Sequence, residues 1–222
     1  MLNGDREEPF AAARAAMVEN QLRRRDIHDA RVLAAMHKVP RHEFLNPQHW
    51  ADAYADHPVP IGEQQTTSQP YIIAAMLQAA EIAPHDRALE VGAGSGYQTA
   101  LLAELAAQVY AVERHPALAQ HARKTLERLG YKNATVVEGD GSLGLPEHAP
   151  YDAIIVAAAA PRVPPALTEQ LAPGGRLVIP VGDAHQQSLH VGYKRSDGVV
   201  ALRMLEGCRF VPLIGKQGFW ES

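Results

Sequence analysis

Arg87-Ala-Leu-Glu-Val-Gly-Ala-Gly-Ser-Gly96 decides the fold, because a short apolar run breaks there into three alternating glycines and then into helix-like sequence. This reads as a strand feeding a ligand-binding loop. Glycines 92, 94 and 96 let the backbone turn sharply and approach a ligand with no Cβ in the way. A dinucleotide fingerprint needs G-x-G-x-x-G, and Tyr97 occupies the place of its third glycine, which disfavours nicotinamide binding. Glu90 before the loop and Glu113 at the end of the next strand supply two carboxylates. Carboxylates accept ribose hydroxyls and repel phosphates, so a cofactor with a ribose and a positive charge but no pyrophosphate suits them.

Composition bounds the rest. The 222 residues fit one domain: a helical and loop extension over 1–82, a βα core over 83–182, and a hairpin with a tail over 183–222. With 46% hydrophobic and 21% charged residues the chain can build a sizeable core. A net charge of −4 argues against nucleic acid as a partner. The one dense basic run, Arg23-Arg24-Arg25, reads as a solvated helix end. Cys208 is the single cysteine, compatible with a reducing cytoplasm. The first eight residues lack a signal-peptide core and no apolar run is long enough to span a bilayer, so we expect no membrane association.

Periodicity predicts a helix from 9 to about 25 with Phe10, Met17 and Leu22 inward, then a second over 29–39, capped by Asp29 and stopped by Pro40. Residues 41–69 read as a long irregular segment carrying function. A helix follows over 69–82, with Pro70 in its first turn. Strands at 88–91, 109–112, 135–137, 153–156 and 176–180 then alternate with helices at 97–106, 116–129 and 164–171. That alternation predicts an α/β, Rossmann-like, doubly wound and mostly parallel sheet. Residues 188–194 and 199–205 flank the turn Ser196-Asp197-Gly198 as an antiparallel hairpin at one sheet edge.

In an open parallel sheet, ligands bind beyond the carboxyl ends of the strands. The glycine loop, Glu113, Gly139-Asp140-Gly141 and residues 157–160 therefore converge on one crevice, with Glu113 placed for both ribose hydroxyls and Asp140 for an adenine amino group. Each element alone could be only a turn; their joint order argues for a site.

The motif Leu89-Glu-Val-Gly-Ala-Gly-Ser-Gly96 resembles the first motif of Rossmann-like S-adenosylmethionine-dependent methyltransferases. Gln65-Thr-Thr-Ser-Gln-Pro-Tyr71 resembles the Gln-Thr-Ile-Ser-Gln-Pro signature of the protein-L-isoaspartate O-methyltransferase family. Val39-Pro-Arg-His-Glu-Phe44, Tyr151-Asp-Ala-Ile-Ile-Val156, Leu171-Ala-Pro-Gly-Gly-Arg-Leu177 and Arg209-Phe-Val-Pro-Leu213 are similar to that family too, in order along almost the whole chain. The resemblance implies methylation of the α-carboxylate of L-isoaspartyl residues in damaged proteins and peptides, followed by spontaneous succinimide closure. It implies S-adenosyl-L-methionine as cofactor, S-adenosyl-L-homocysteine as product and no metal. It marks Ser68 as catalytic and Thr66, Thr67, Glu90, Gly92, Ala93, Gly94, Ser95, Gly96, Glu113, Arg114, Asp140 and Gly141 as cofactor-binding. A cytoplasmic monomer is expected.

Two departures stand out. Gln64 replaces the family's glycine before Gln-Thr, restricting the backbone, and Thr67 replaces isoleucine, bringing a hydroxyl that needs a partner if buried. A carboxylate with a pKa near ~4 is already ionised at neutral pH, so Ser68 is read as orienting the acceptor rather than as base or covalent nucleophile. Ser68 could equally cap the helix that starts at Pro70. Dispersed histidines give no ligand spacing for a metal, and Ser142 lacks the G-x-S-x-G elbow. Phe219 and Trp220 read as packing residues rather than closures of the substrate cleft. Two rival functions remain at this point: a related enzyme acting on one partner peptide or a small carboxylate, and a noncatalytic S-adenosylmethionine-binding module.

Overall fold

A computed structural model describes residues 4–183 and 185–220, with side chains from residue 9 onward, so the opening eight-residue segment read above lies outside the described side chains. Helix α1 (Gly4–Met17) begins ahead of the expected Pro9 and passes into a π-helical stretch, Val18–Arg23, in place of further α-helix. Met17 and Leu22 are buried as their spacing predicted, and Phe10 stacks on His42 with ring centroids 4.0 Å apart. Arg25 is not merely solvated. It pairs with Asp56 at 2.9 Å and lies 3.3 Å above the Tyr71 ring, an arrangement that orders the guanidinium beyond the helix end.

Helix α2 (Ala30–Lys38) is capped by Asp29, whose carboxylate accepts from the amides of Arg31 and Val32 at 2.8 and 3.1 Å. Residues 41–69 are more regular than expected. Two 3₁₀ turns, Arg41–Phe44 and Pro47–Asp52, precede an antiparallel hairpin of β1 (Val59–Gly62) and β2 (Gln65–Thr67). Strands of four and three residues are too short for hydrophobic alternation to reveal them. At the hairpin tip Glu63 and Gln64 both take positive φ, 50° and 58°. Gln64 thus adopts the left-handed backbone that a glycine would favour, at a cost of roughly 1–2 kcal/mol. Helix α3 (Pro70–Ala79) follows and is buried over most of its length.

The main sheet contains β3 (Arg87–Val91), β4 (Gln108–Glu113), β5 (Ala134–Glu138), β6 (Tyr151–Val156), β7 (Leu171–Gly182), β8 (Gln187–Lys194) and β9 (Val200–Cys208). Their spatial order is β5-β4-β3-β6-β7-β8-β9; β8 pairs antiparallel with both β7 and β9, and the other neighbours pair parallel. Helices α4 (Tyr97–Leu105), α5 (Pro116–Arg128) and the short α6 (Pro165–Glu169) make crossovers. Strand order reverses between β3 and β6, and this switch point opens the crevice. β3 is buried from Ala88 to Val91 because both faces are covered, with Ala88 in one core and Leu89 and Val91 in the other.

Helix α6 is shorter and β7 longer than expected. Leu171 already pairs with Tyr151, and the Pro173-Gly174-Gly175 segment is absorbed as an irregularity before pairing resumes at Ala153 and Arg176. Phe219 is half-buried, whereas Trp220 is 85% exposed and does not serve as a packing residue. No helix among the described residues is long and apolar enough to cross a membrane.

Arg176 on β7 ties the sheet to the end of α3. It donates to the carbonyls of Ala80 and Glu81, each at 2.8 Å, and pairs with Asp86, which is 3% exposed. Arg176→Met would leave the Asp86 carboxylate buried without its cation, and we expect a loss of about 3–5 kcal/mol in urea unfolding. A loss below about 1 kcal/mol would show the pair to be dispensable.

Candidate active site

The loop after β3 is stitched to β4. The amides of Gly92 and Ala93 both donate to the carbonyl of Val112, at 2.8 and 3.3 Å, and the Gly94 amide donates to Glu113 Oε2 at 2.8 Å. Three consecutive donors thus face one strand end. Gly92, Gly94 and Gly96 have φ of +91°, +55° and +89°, which explains the alternating glycines. Glu113 Oε1 accepts from the His115 amide at 2.9 Å. Each carboxylate oxygen keeps a second lone-pair site for a hydroxyl donor.

One cavity lies over this loop, lined by Gly92, Gly94, Glu113, Arg114 and Gly141, with Val211, Pro212, Leu213 and Ile214 as an apolar wall. A smaller cavity adjoins it between the glycine loop and β2, lined by Thr66, Thr67, Ser68, Glu90, Ala93, Ser95 and Gln98. A third, outer groove is lined by Arg25, Ser68, Tyr71, Ile72, Arg209 and Phe210. Ser68 belongs to both the small cavity and the outer groove, and Thr66 lines all three.

Two of the expected site residues stand away from these cavities. Gly96 faces α5, where a Cβ would come within 3.1 Å of Ala122 Cβ, so its glycine serves close helix packing. The Asp140 carboxylate is engaged by the protein itself. Oδ1 accepts from the Ser142 amide and hydroxyl at 2.9 and 2.6 Å, and Oδ2 accepts from the Lys216 amide at 2.8 Å. Together with Ser142, which accepts from the Gln217 amide at 3.0 Å, it anchors the tail whose residues 211–214 wall the first cavity.

Ser68 is not the cap of α3. Gln69 holds that position, and neither side chain bonds the helix amides. The Ser68 hydroxyl makes no hydrogen bond among the described residues and faces the groove and cavity. Its loop is set instead by Arg41, which sequence reasoning left without a role. The Arg41 guanidinium is fully buried, donates to the Ser68 carbonyl at 2.8 Å, reaches Thr67 Oγ1 at 3.4 Å and lies 4.8 Å from the Tyr97 ring centroid. The Thr67 hydroxyl thereby finds the partner its burial demands. No carboxylate among the described residues pairs with Arg41, and burial pushes its pKa down. Gln98, in the first turn of α4, was also overlooked; a lone amide in an Ala-rich helix carries no sequence signal.

Glu90 is the most perturbed acid here. It is fully buried, accepts from Thr99 Oγ1 at 2.5 Å, and is pushed up to about 8, first by desolvation and further by the charge of Glu113, against the opposing Thr99 bond. Among the described residues no group of three or more His, Cys, Asp or Glu side chains is placed to hold a metal ion. The unfolded chain releases the Glu90 proton near the ordinary value of 4.5, whereas the folded chain keeps it up to about pH 8. Folding stability from this group is present below 4.5 and is lost as pH rises through that window. Glu90→Gln, which mimics the protonated form, should therefore match the wild type in thermal midpoint at about pH 4 and exceed it increasingly toward pH 8. Parallel midpoints across the range would contradict this account of Glu90.

The protein-L-isoaspartate(D-aspartate) O-methyltransferase (PCMT) family model matches residues 12–218. A Koribacter versatilis protein-L-isoaspartate O-methyltransferase is 58% identical over 210 residues, covering 95% of this chain and 94% of its own. One from Aeropyrum pernix is 51% identical over 219 residues, covering 97% of this chain and 84% of its own. A crystal structure of a β-aspartate methyltransferase from Plasmodium falciparum in complex with S-adenosyl-L-homocysteine superposes with a TM-score of 0.79 at 28% identity, covering 90% of this chain and 98% of that one. The glycine loop stitched to β4, the switch-point crevice and the serine-bearing β2–α3 loop are thus those of a chain that belongs to the protein-L-isoaspartate O-methyltransferase family.

Proposed function

We propose that this chain transfers a methyl group from S-adenosyl-L-methionine to the α-carboxylate of L-isoaspartyl residues in proteins and peptides, with Ser68 orienting the acceptor. The observation that carries the assignment of Ser68 is its position on the boundary between the small cavity and the outer groove. An acceptor entering from the groove meets the cofactor side of the site at this residue. Arg209 lines the groove and favours an anionic group there, whereas Arg25 is paired with Asp56 and Glu206 lines the same groove. The glycine loop gives close backbone approach, and Thr66, Thr67, Glu90, Ala93, Ser95, Glu113, Arg114 and Gly141 supply the surrounding contacts. Glu113, with its free lone-pair sites, is our choice for the ribose hydroxyls. Asp140 is read as the adenine-side residue and as the anchor of the apolar wall; Gly96 contributes through loop geometry.

When bound, S-adenosyl-L-methionine supplies an electrophilic methyl group on a sulfonium. The acceptor carboxylate is ionised at neutral pH, so the protein needs no general base. Its task is to strip water from the carboxylate and aim it, which makes orientation the main source of rate. Ser68 Oγ–H donates to one carboxylate oxygen and leaves the other to attack. Buried Arg41 holds the Ser68 carbonyl, fixing the hydroxyl's direction. The resulting methyl ester can expel methanol, a far better leaving group than the oxygen of a carboxylate, when the following backbone amide nitrogen attacks its carbonyl to close the succinimide, and this step needs no protein residue. We read the enzyme as a cytoplasmic monomer acting on damaged proteins rather than on nucleic acid or membranes, supported by its net charge and single cysteine.

The decisive experiment compares methyl incorporation into an isoaspartyl peptide with that into its aspartyl twin. Isoaspartyl-selective incorporation supports the reading. Equal incorporation, or none alongside intact cofactor binding, favours one of the rivals. Ser68→Ala should lower kcat by about 10²–10³ with cofactor affinity in calorimetry nearly unchanged; full activity would move the orienting role elsewhere. Glu113→Ala should instead weaken cofactor binding by about 10-fold or more while the fold persists by circular dichroism. Unchanged affinity would remove Glu113 from the ribose.

A further inference from the structure

Strand β9 ends the sheet. Its only strand neighbour is β8, and among the described residues its backbone bonds to no other element. Across the turn that joins the two strands, the Arg195 amide donates to the Val199 carbonyl at 2.9 Å. Bonded and non-bonded pairs alternate along an antiparallel ladder, so Ala201 and Arg203 bond to Tyr193 and Val191, whereas Val200, Leu202 and Met204 turn their amides and carbonyls away from β8. Native edges of this kind are usually blunted by proline, lysine or an early irregularity. Residues 200–204 contain neither proline nor lysine, and the register holds until Leu205, which is left out of the pairing. Leu202 and Met204 are 48% and 62% exposed, so apolar side chains accompany the open backbone. At its other end the strand runs into the outer groove, which Glu206, Gly207 and Cys208 line together with Ser68.

We propose that this edge receives an extended segment of the acceptor chain, C-terminal to its isoaspartyl residue, as an added antiparallel strand. This rests on the acceptor reading above. Continuity with the groove selects the occupant, because a chain whose α-carboxylate lies at Ser68 has its flank beside the end of β9. A strand antiparallel to β9 runs from Cys208 back toward Val200, so the residues after the isoaspartate lie along it. The strands at this edge already pair antiparallel, which is the more stable arrangement per residue. Met204 and Leu202 lie four and six positions back from Cys208, about 14 and 20 Å at the rise of a strand, so a flank of about six residues covers both.

Backbone pairing is blind to sequence, which suits an enzyme whose acceptors share only the damaged residue. Alternate apolar side chains of the flank meet Leu202 and Met204 and add to the pairing. A segment still folded in its own protein has its amides and carbonyls engaged there. The edge therefore favours damaged segments that have lost their structure.

The test measures KM on isoaspartyl peptides of three designs. One ends a single residue after the isoaspartate, one adds about six uncharged Val and Thr residues on the C-terminal side, and one adds the same residues on the N-terminal side. The C-terminal extension should lower KM by about 10-fold at unchanged kcat, and the N-terminal one should leave KM as it was. Leu202→Pro and Met204→Pro each delete an outward amide and no bond to β8. Both should erase the gain while the short peptide keeps wild-type kinetics, which also certifies fold and groove. On wild-type enzyme, N-methylation of alternate residues of the extension should erase the gain in one phase and spare it in the other, and this series decides the matter even where a proline variant fails to fold. A KM indifferent to the C-terminal extension, a gain that survives in both N-methylated phases or in both folded proline variants, or a gain from the N-terminal extension instead overturns the proposal. A wild-type dimer in light scattering that Met204→Pro dissolves would give the edge to a second copy of the chain and overturn it as well. Absence of any methylation of the short isoaspartyl peptide would instead defeat the underlying acceptor reading.

Discussion

One carboxylate fastens the two loops on which the cavity is built. Glu113, at the end of β4 and 4% exposed, accepts from Gly94 of the neighbouring loop and from His115 of its own. Hydrogen bonds from backbone amides to a charged acceptor are among the stronger neutral-donor bonds a protein can make. Because Gly92 and Ala93 also donate to Val112, the loop after β3 is tied to the end of β4 at three successive amides. The parallel register of β3 on β4 therefore fixes where ligand-facing amides and carboxylate lie. Every other wall is positioned against this fixed edge.

The N-terminal layer supplies the opposite wall by different physics. Its central element is the buried guanidinium of Arg41, paired with carbonyl and hydroxyl oxygens and a ring instead of a carboxylate. Burying a cation without a counterion is costly, and the cost is tolerable only where the site uses the resulting field. A positive potential beneath the Ser68 loop suits a site that must receive a desolvated anion. Across the cavity, the Glu113 carboxylate gives the field the other sign, while Glu90 keeps its proton up to about pH 8. The site is thus polarised from the β2–α3 loop toward the sheet.

Much of this was legible in the chain. The glycine spacing, the βα alternation and the ordered residues after each strand located the sheet and the crevice, because period and turn chemistry are local properties. The small strands β1 and β2 were not, since four and three residues carry no period. The π-helical stretch at Val18–Arg23 differs from an α-helix by one residue per hydrogen bond and keeps the same buried Leu22. Arg41 and Gln98 escaped because their meaning lies in what surrounds them: a carbonyl 27 positions away for one, and an empty valence in a cavity for the other. Asp140 was found at the right strand end. Its engagement by Ser142 and Lys216 depends on a return of the chain 76 residues later that no local pattern encodes.

The attachment of that returning segment is almost wholly main-chain. Leu213, Lys216 and Gln217 are held through their amides, by the Ala159 carbonyl at 2.7 Å, Asp140 and Ser142 respectively, and Val211 offers its carbonyl to the Ala159 amide at 2.8 Å. None of these bonds depends on the side chains of Val211, Leu213 or Ile214. Ile214 can accordingly change in size and shape without any of these bonds being lost, whereas Leu213, 6% exposed, and Val211 also pack against the core. The two receptors, Asp140 and Ser142, enjoy no such latitude, since each serves the segment through its own side-chain oxygens. The hydrogen-bonded frame of the segment and the shape of the pocket wall are thus set largely by different atoms, main-chain amides for the one and side chains for the other.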